Sequence, residues 1–174
     1  MFNSIVVAFD GSPFAEKALA TASELAAQGG AALGIAYVIE TGHARIPQEA
    51  HHLARVEHLI EPAQKMVVNY ENAPIAMMDT MAQVSQEYDR AMEKYAEFLL
   101  GQAESSAREA GVTEVDTRTL DGDAAAEIVA YAKERDADLI VSGCRGFGRV
   151  KSLLLGSTSH KIGQLAECSC LTVK

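Results

Sequence analysis

Cysteine is scarce in this 174-residue sequence: there are three, Cys144, Cys168 and Cys170. An odd and small number excludes a disulfide scaffold and points to a reducing compartment. Cys168-Ser-Cys170 lacks the Cys-x-x-Cys spacing of a redox or zinc pair and reads as two small, half-buried thiols. Long apolar runs are also missing. They stop at about eight residues, short of the roughly 20 that a membrane helix needs, so no membrane insertion is expected. The opening residues, Met1-Phe-Asn-Ser-Ile-Val-Val7, have no basic start and no small-residue cleavage site, which leads to the expectation of a cytoplasmic protein. Positive charge is the third shortage. Fifteen Lys and Arg stand against 24 Asp and Glu, a net charge of −9. A nucleic-acid platform needs clustered cations, so nucleic acid is excluded as the expected partner.

What remains is ordinary material for a folded domain. Hydrophobic residues make up 48% of the chain, enough for a sizeable core in one domain. Ile5-Val-Val-Ala-Phe9 is short, β-branched and apolar, as a buried parallel strand should be. It runs into Asp10-Gly-Ser-Pro13, where Ser12 is a natural helix N-cap and Pro13 suits the first helical position. A helix to about residue 28 follows, stopped by Gly29-Gly30. Ala32 to Ile39 is a second apolar strand, completing a β-α-β unit. Residues 41 to about 92 read as a helical insertion, because the segment is long for a simple connection. Its first part carries helical spacing at Leu53, Val56, Leu59 and Ile60. A long helix, roughly Thr80 to Ala110, closes at Gly111. Then come a strand from Val115 to Leu120, a turn at Asp121-Gly-Asp123, a helix from Ala124 to Arg135 and a strand from Leu139 to Ser142. A helix from Ser157 to about Ala166 and a strand from Ser169 to Val173 finish the chain. Strands alternating with helices predict a parallel sheet covered on both faces. Ligands of such sheets bind beyond the carboxyl ends of the strands, where the strand order reverses.

One stretch carries chemistry. Gly143-Cys-Arg-Gly146 follows the fourth strand directly, and nine residues later comes Gly156-Ser-Thr-Ser159. Glycines just past a strand allow the backbone to approach a ligand. Gly156-Ser157 reads as a helix start, whose free N–H groups and partial positive charge attract anions. Together they read as a phosphate-binding loop.

These residues resemble the universal stress protein family. Its nucleotide-binding members carry Gly-x2-Gly-x9-Gly-(Ser/Thr), matched here by Gly143, Gly146 and Gly156-Ser157. The likeness extends to Ile5-Val-Val-Ala-Phe-Asp-Gly-Ser12, to Ala137-Asp-Leu-Ile-Val-Ser-Gly-Cys-Arg-Gly146 and to Leu153-Leu-Leu-Gly-Ser157. It implies a Rossmann-like, three-layer α/β fold of the adenine nucleotide alpha hydrolase kind. Its five-stranded parallel sheet would take the order 3-2-1-4-5, with helices on both faces. It also implies a site for ATP, ADP or AMP. In that site Ala8, Phe9 and Asp10 would lie against the adenosine half, and the backbone of Val38 would meet the adenine edge. Ser142, Gly143, Arg145 and Gly146 would surround ribose and phosphates. Gly156, Ser157 and Thr158 would hold the phosphates. Homodimers are frequent in the family, many formed through the last strand, which often begins Cys-Pro-Val where this chain has Cys168-Ser-Cys170.

Catalytic equipment is not assembled in the sequence. The Gly-x4-Gly-Lys-(Ser/Thr) loop of P-loop enzymes is missing, as is any Ser-His-Asp order or paired-carboxylate signature. Binding with at most slow ATP hydrolysis is expected, any Mg²⁺ being held through the nucleotide phosphates. An interaction protein of the same fold without nucleotide, or a weak ATP-hydrolysing enzyme, is the alternative. His43, His51, His52 and His58 have no metal-ligand spacing and read as surface or interface residues. Arg145, Arg149 and Lys151 flank the phosphate loop and either offset phosphate charge or form a solvated face. An unidentified protein partner is compatible with the long insertion.

Overall fold

A computed structural model describes residues 1–39, 78–146 and 156–174, with the backbone alone for 78–89 and 91. The elements are β1 (Ser4–Ala8), α1 (Pro13–Gly29), β2 (Ala32–Ile39), α2 (Met78–Glu109), β3 (Val115–Asp121), α3 (Ala124–Glu134), β4 (Leu139–Gly143), α4 (Ser157–Leu165) and β5 (Ser169–Val173). The chain divides into two units, Met1–Ala44 with Leu99–Lys174, and Arg45–Phe98. The first holds the entire described sheet; of the second, only the earlier part of α2 is described. The helical reading of residues 51–70 and the four histidines it contains or adjoins lie outside the described residues, as do Arg149 and Lys151.

The five strands are all parallel, in the order β3-β2-β1-β4-β5. β1 is central, and its Ile5, Val6 and Val7 are completely buried. Alternation along the strands sends side chains to opposite faces. On one face Val6, Ala36 and Ile140 meet Ala125, Ile128, Tyr131 and Ala132 of α3 and Ile162 of α4. On the other, α1 packs across β1, β4 and β5, burying Ala15, Ala18, Leu19, Ala22 and Ala26. The result is three layers, as the alternation of elements requires.

Local chemistry fixes the element ends. Ser12 caps α1, its Oγ accepting the Ala15 N–H at 3.2 Å, with Pro13 at the first position. Replacing such a cap by alanine ordinarily costs about 0.5–2 kcal/mol. Asp123 does the same for α3, accepting from Ala126 N at 3.0 Å. The β3 edge is tied to α3 by a polar cluster. Asp116 Oδ2 accepts from Tyr131 Oη at 2.8 Å and from Arg135 Nη1 at 2.6 Å. Arg118 lies over the Tyr131 ring at 4.8 Å and pairs with Glu134 at 2.7 Å. Burial, then the bond to Asp116, pushes the Tyr131 hydroxyl up to about 12.

Candidate functional site

The site forms where the strand order reverses. β1 connects through α1 to β2 on one side, and its other neighbour is β4. Ala8, the last residue of β1, stands in register with Ala36 of β2 and Ser142 of β4. The Phe9 N–H still donates to Ala36 O at 2.9 Å, and then the chain turns away. In a strand the N–H and C=O of one residue point to the same side, and residues two apart point alike. Ala36 faces β1, so Val38 does too. β1 ends before it can pair with Val38, because the β1–β2 register stops at Ala8 and Ala36. The Val38 backbone therefore presents one donor and one acceptor beyond the end of the central strand, with no partner in the β1–β2 ladder.

Asp10 begins the turn. Its Oδ1 accepts the Ser12 N–H at 2.9 Å. Burial raises its carboxyl above the usual carboxylate range, and the hydrogen bonds from Ser12 pull in the opposite direction. Glu16, one turn into α1, is also raised, by burial first and then by the charge of Asp10. The Asp10 carboxyl lies directly against Gly146, where an added Cβ would collide with Oδ2.

Gly143 ends β4 against the start of α1. A Cβ there would stand 2.8 Å from the Phe14 carbonyl carbon and 2.9 Å from its oxygen. Real Cβ atoms do not come this close to backbone, so only glycine allows β4 and α1 to meet in this way. The loop then passes over Phe14, with the Arg145 guanidinium 5.8 Å from the ring centre and Lys17 Nζ at 5.5 Å. Arg145 O faces Ser12 Oγ at 3.5 Å. Arg145 Nε is buried without a hydrogen-bond partner among the described residues.

The start of α4 is set by one peptide. Cys144 N donates to Val173 O at 2.7 Å, and Cys144 O accepts from Gly156 N at 2.7 Å. Gly156 is the N-cap of α4 and makes no side-chain cap bond. Ser157 and Thr158 occupy the first two helical positions, and their N–H groups belong to the set that an α-helix leaves without an internal partner. Ser159 turns back, its Oγ donating to Gly156 O at 3.1 Å. A Cβ on Gly156 would lie 3.2 Å from Cys144 O, a tight approach.

The structure thus brings Ala8, Asp10, Ser142, Gly143, Arg145, Gly146 and Gly156 into direct adjacency at the ends of β1 and β4. Ser157 and Thr158 follow on α4, and Phe9 is the buried link between Ala8 and Asp10. Val38 is one strand away, opposite Leu120 of β3. Sequence reasoning missed Phe14, which supports both Gly143 and Arg145. The available signal was an aromatic in the first turn of a helix that follows Asp-Gly-Ser-Pro. His160 is exposed, with Nε2 3.2 Å from Gln164 Nε2. Among the described residues no group of three or more His, Cys, Asp or Glu is arranged to hold a metal ion, and no helix is long and apolar enough to cross a membrane.

A parallel five-stranded sheet of this order, with a glycine loop and an uncapped helix start at its reversal point, defines the Rossmann-like α/β class. The universal stress protein family model matches residues 1–174, and the chain belongs to that family. Universal stress protein YxiE of Bacillus subtilis is 32% identical over 174 residues, with all of both chains covered. Among solved structures, a universal stress protein in complex with cAMP is 23% identical with a TM-score of 0.59, covering 99% of this chain and 96% of that one. The universal stress protein from Archaeoglobus fulgidus in complex with dAMP is 21% identical, also with a TM-score of 0.59, covering 99% of this chain and 98% of that one. The two likenesses share the fold described above.

Proposed function

We propose that this universal stress protein binds an adenine nucleotide, ATP or a related mono- or diphosphate, in the crevice beyond β1 and β4, and acts through the conformation or partner affinity that binding selects. The observation that carries the reading is the start of α4. Its cap is a glycine without a side-chain bond, held by the Cys144 carbonyl, so its first amides are free for an anion. The surroundings fit. Arg145 offers an unpartnered Nε beside the loop, and the Val38 backbone offers the donor–acceptor pair that the edge of an adenine ring can meet. Ala8, Phe9 and Asp10 would border the nucleoside, and Ser142, Gly143 and Gly146 the ribose and phosphates. Gly156, Ser157 and Thr158 would hold the terminal phosphates. The complexes of related folds with cAMP and dAMP support an adenine ligand for this family.

The described residues supply no carboxylate cluster for a divalent ion, so Mg²⁺ would be held through the nucleotide's own phosphates. Hydrolysis of a bound ATP would be slow at most. The protein would be a cytoplasmic homodimer built from a single family domain. Equilibrium titration of the purified chain with ATP, ADP and AMP tests the reading. Saturable binding, weakened at least tenfold by Gly156→Val in a chain whose sheet stays folded, is expected. No binding at millimolar nucleotide would refute it and favour a protein that keeps the fold for interaction alone.

A further inference from the structure

Cys168 and Cys170 take no part in the nucleotide reading, and the fold gives them a relation that their spacing alone did not. Cys170 lies in β5, in register with Ile140 of β4. Registered residues of a parallel ladder send their side chains to the same face, and Ile140 belongs to the cluster beneath α3 and α4. Cys168, just before β5, packs against that same cluster. Both thiols are thus on one face of the sheet. Neither is in a disulfide; Cys168 is partly buried and Cys170 is exposed. The Cys170 Sγ is turned back along the chain, 3.8 Å from the carbonyl oxygen of Cys168.

Asp138 lies within electrostatic reach of Cys168, and Glu167 is the preceding residue, paired at 3.3 Å with Lys133. Burial holds both thiols above their ordinary range; the charge of Asp138 adds to this at Cys168, and the charge of Cys168 adds to it at Cys170. The pair is therefore protonated at neutral pH and poorly suited to act as a nucleophile. A soft cation that bonds both sulfurs displaces the protons in spite of that field, through the strength of its bonds to sulfur.

We propose that Cys168 and Cys170 form a two-sulfur binding site for a soft monovalent d¹⁰ cation of the copper(I) class. Softness follows from the donors, since thiolates select copper(I) over harder ions. The low coordination number follows from what surrounds them. Structural zinc takes four ligands, and among the described residues no third His, Cys, Asp or Glu completes a set. The Asp138 carboxylate is occupied by the Asn3 and Ser4 N–H groups. Copper(I) is satisfied by two sulfurs. Binding is an exchange without redox change: one M⁺ and two thiols give one bis-thiolate anion and release two protons. Affinity therefore rises with pH, by up to two protons per ion.

The test is an anaerobic titration of the full, reduced chain with copper(I) buffered by a chromophoric chelator. The expected result is one ion taken from the chelator per chain. Cys170→Ser and Cys168→Ser should each weaken binding at least 100-fold, and Cys144→Ser should leave it unchanged. Melting curves accompany each variant. Cys168 packs against the core, so if Cys168→Ser does not fold, the exposed position 170 carries the test. Four results would overturn the proposal: no competition with the chelator, full affinity in Cys170→Ser, loss of binding in Cys144→Ser, or one ion for every two chains. Equal affinity for zinc(II) would overturn the choice of ion class.

Discussion

Gly143 and Gly146 belong to the same short motif, yet substitution of each should fail in a different way. In Gly143→Ala the new methyl would meet three atoms of Phe14 between 2.8 and 2.9 Å, two of them backbone. Phe14 cannot rotate out of the way with its backbone. The start of α1 is pinned on both sides, by Ser12 Oγ on Ala15 N at 3.2 Å and by Glu16 N on Ser12 O at 2.9 Å. Relief must come from separating β4 and α1, at a cost of about 1–3 kcal/mol for overpacking and toward its upper end. For a domain of this size each kcal/mol shifts the melting temperature by about 2–4 °C, so a drop of several degrees is expected. In Gly146→Ala the methyl would meet, among the described residues, only the side-chain carboxylate of Asp10, at an exposed loop position. That carboxylate can swing aside, and stability should change by less than about 1 kcal/mol, the range of surface changes. The crevice would be reshaped instead, and nucleotide affinity should fall at least tenfold, about 1.4 kcal/mol. Urea unfolding and nucleotide titration of the two variants side by side check both halves. An unchanged midpoint in Gly143→Ala would refute the packing reasoning. A folded Gly146→Ala that binds nucleotide like the parent would refute the placement of Asp10 in the site.

Three further outcomes are expected. Burial raises the Asp10 carboxyl in the folded chain, so the group favours folding below the usual carboxylate range, and that contribution is lost as pH rises through its folded value. Asp10→Asn should therefore match the parent in acid and exceed it in urea midpoint at neutral pH; a variant less stable at pH 7 would contradict the sign. Gly34→Ala would bring a Cβ 2.7 Å from Arg135 Nε and 2.9 Å from Tyr131 Oη, loosening both from Asp116. A loss of about 1–3 kcal/mol and a fall in the Tyr131 ionisation from about 12, read by tyrosinate absorbance, are expected. Ser12→Ala removes the α1 cap and should cost about 0.5–2 kcal/mol in denaturant unfolding.

Much of the fold was legible because its signals are local. Ser12 and Asp123 announce helix starts by the acceptors they carry, and β2 begins and ends where its apolar run does. The strand order followed from the family likeness rather than from periodicity, which says nothing of which strands are neighbours. The contacts that shape the site were not legible. Phe14 matters because β4 returns beside it after more than a hundred residues. The openness of the Val38 backbone exists only once the β1–β2 register is known. Tyr131 brings a polar hydroxyl into α3 between the buried Ile128 and Ala132. It is buried all the same, because Asp116, Arg118 and Arg135 of other turns and strands satisfy its hydroxyl and ring.

The hydrogen bonds through Cys144 have a consequence for how such a site can vary. Val173 O, the Cys144 peptide and Gly156 N form a chain of main-chain groups, and none of the three side chains takes part. The anchor of α4 thus uses no side chain at position 144, and proline there would remove it, having no N–H to give. Mutation can exchange the thiol there for another small residue without displacing the helix. The same backbone linkage means that a chain shortened before Val173 would leave the Cys144 N–H without its acceptor, although every residue of the glycine motif were still in place.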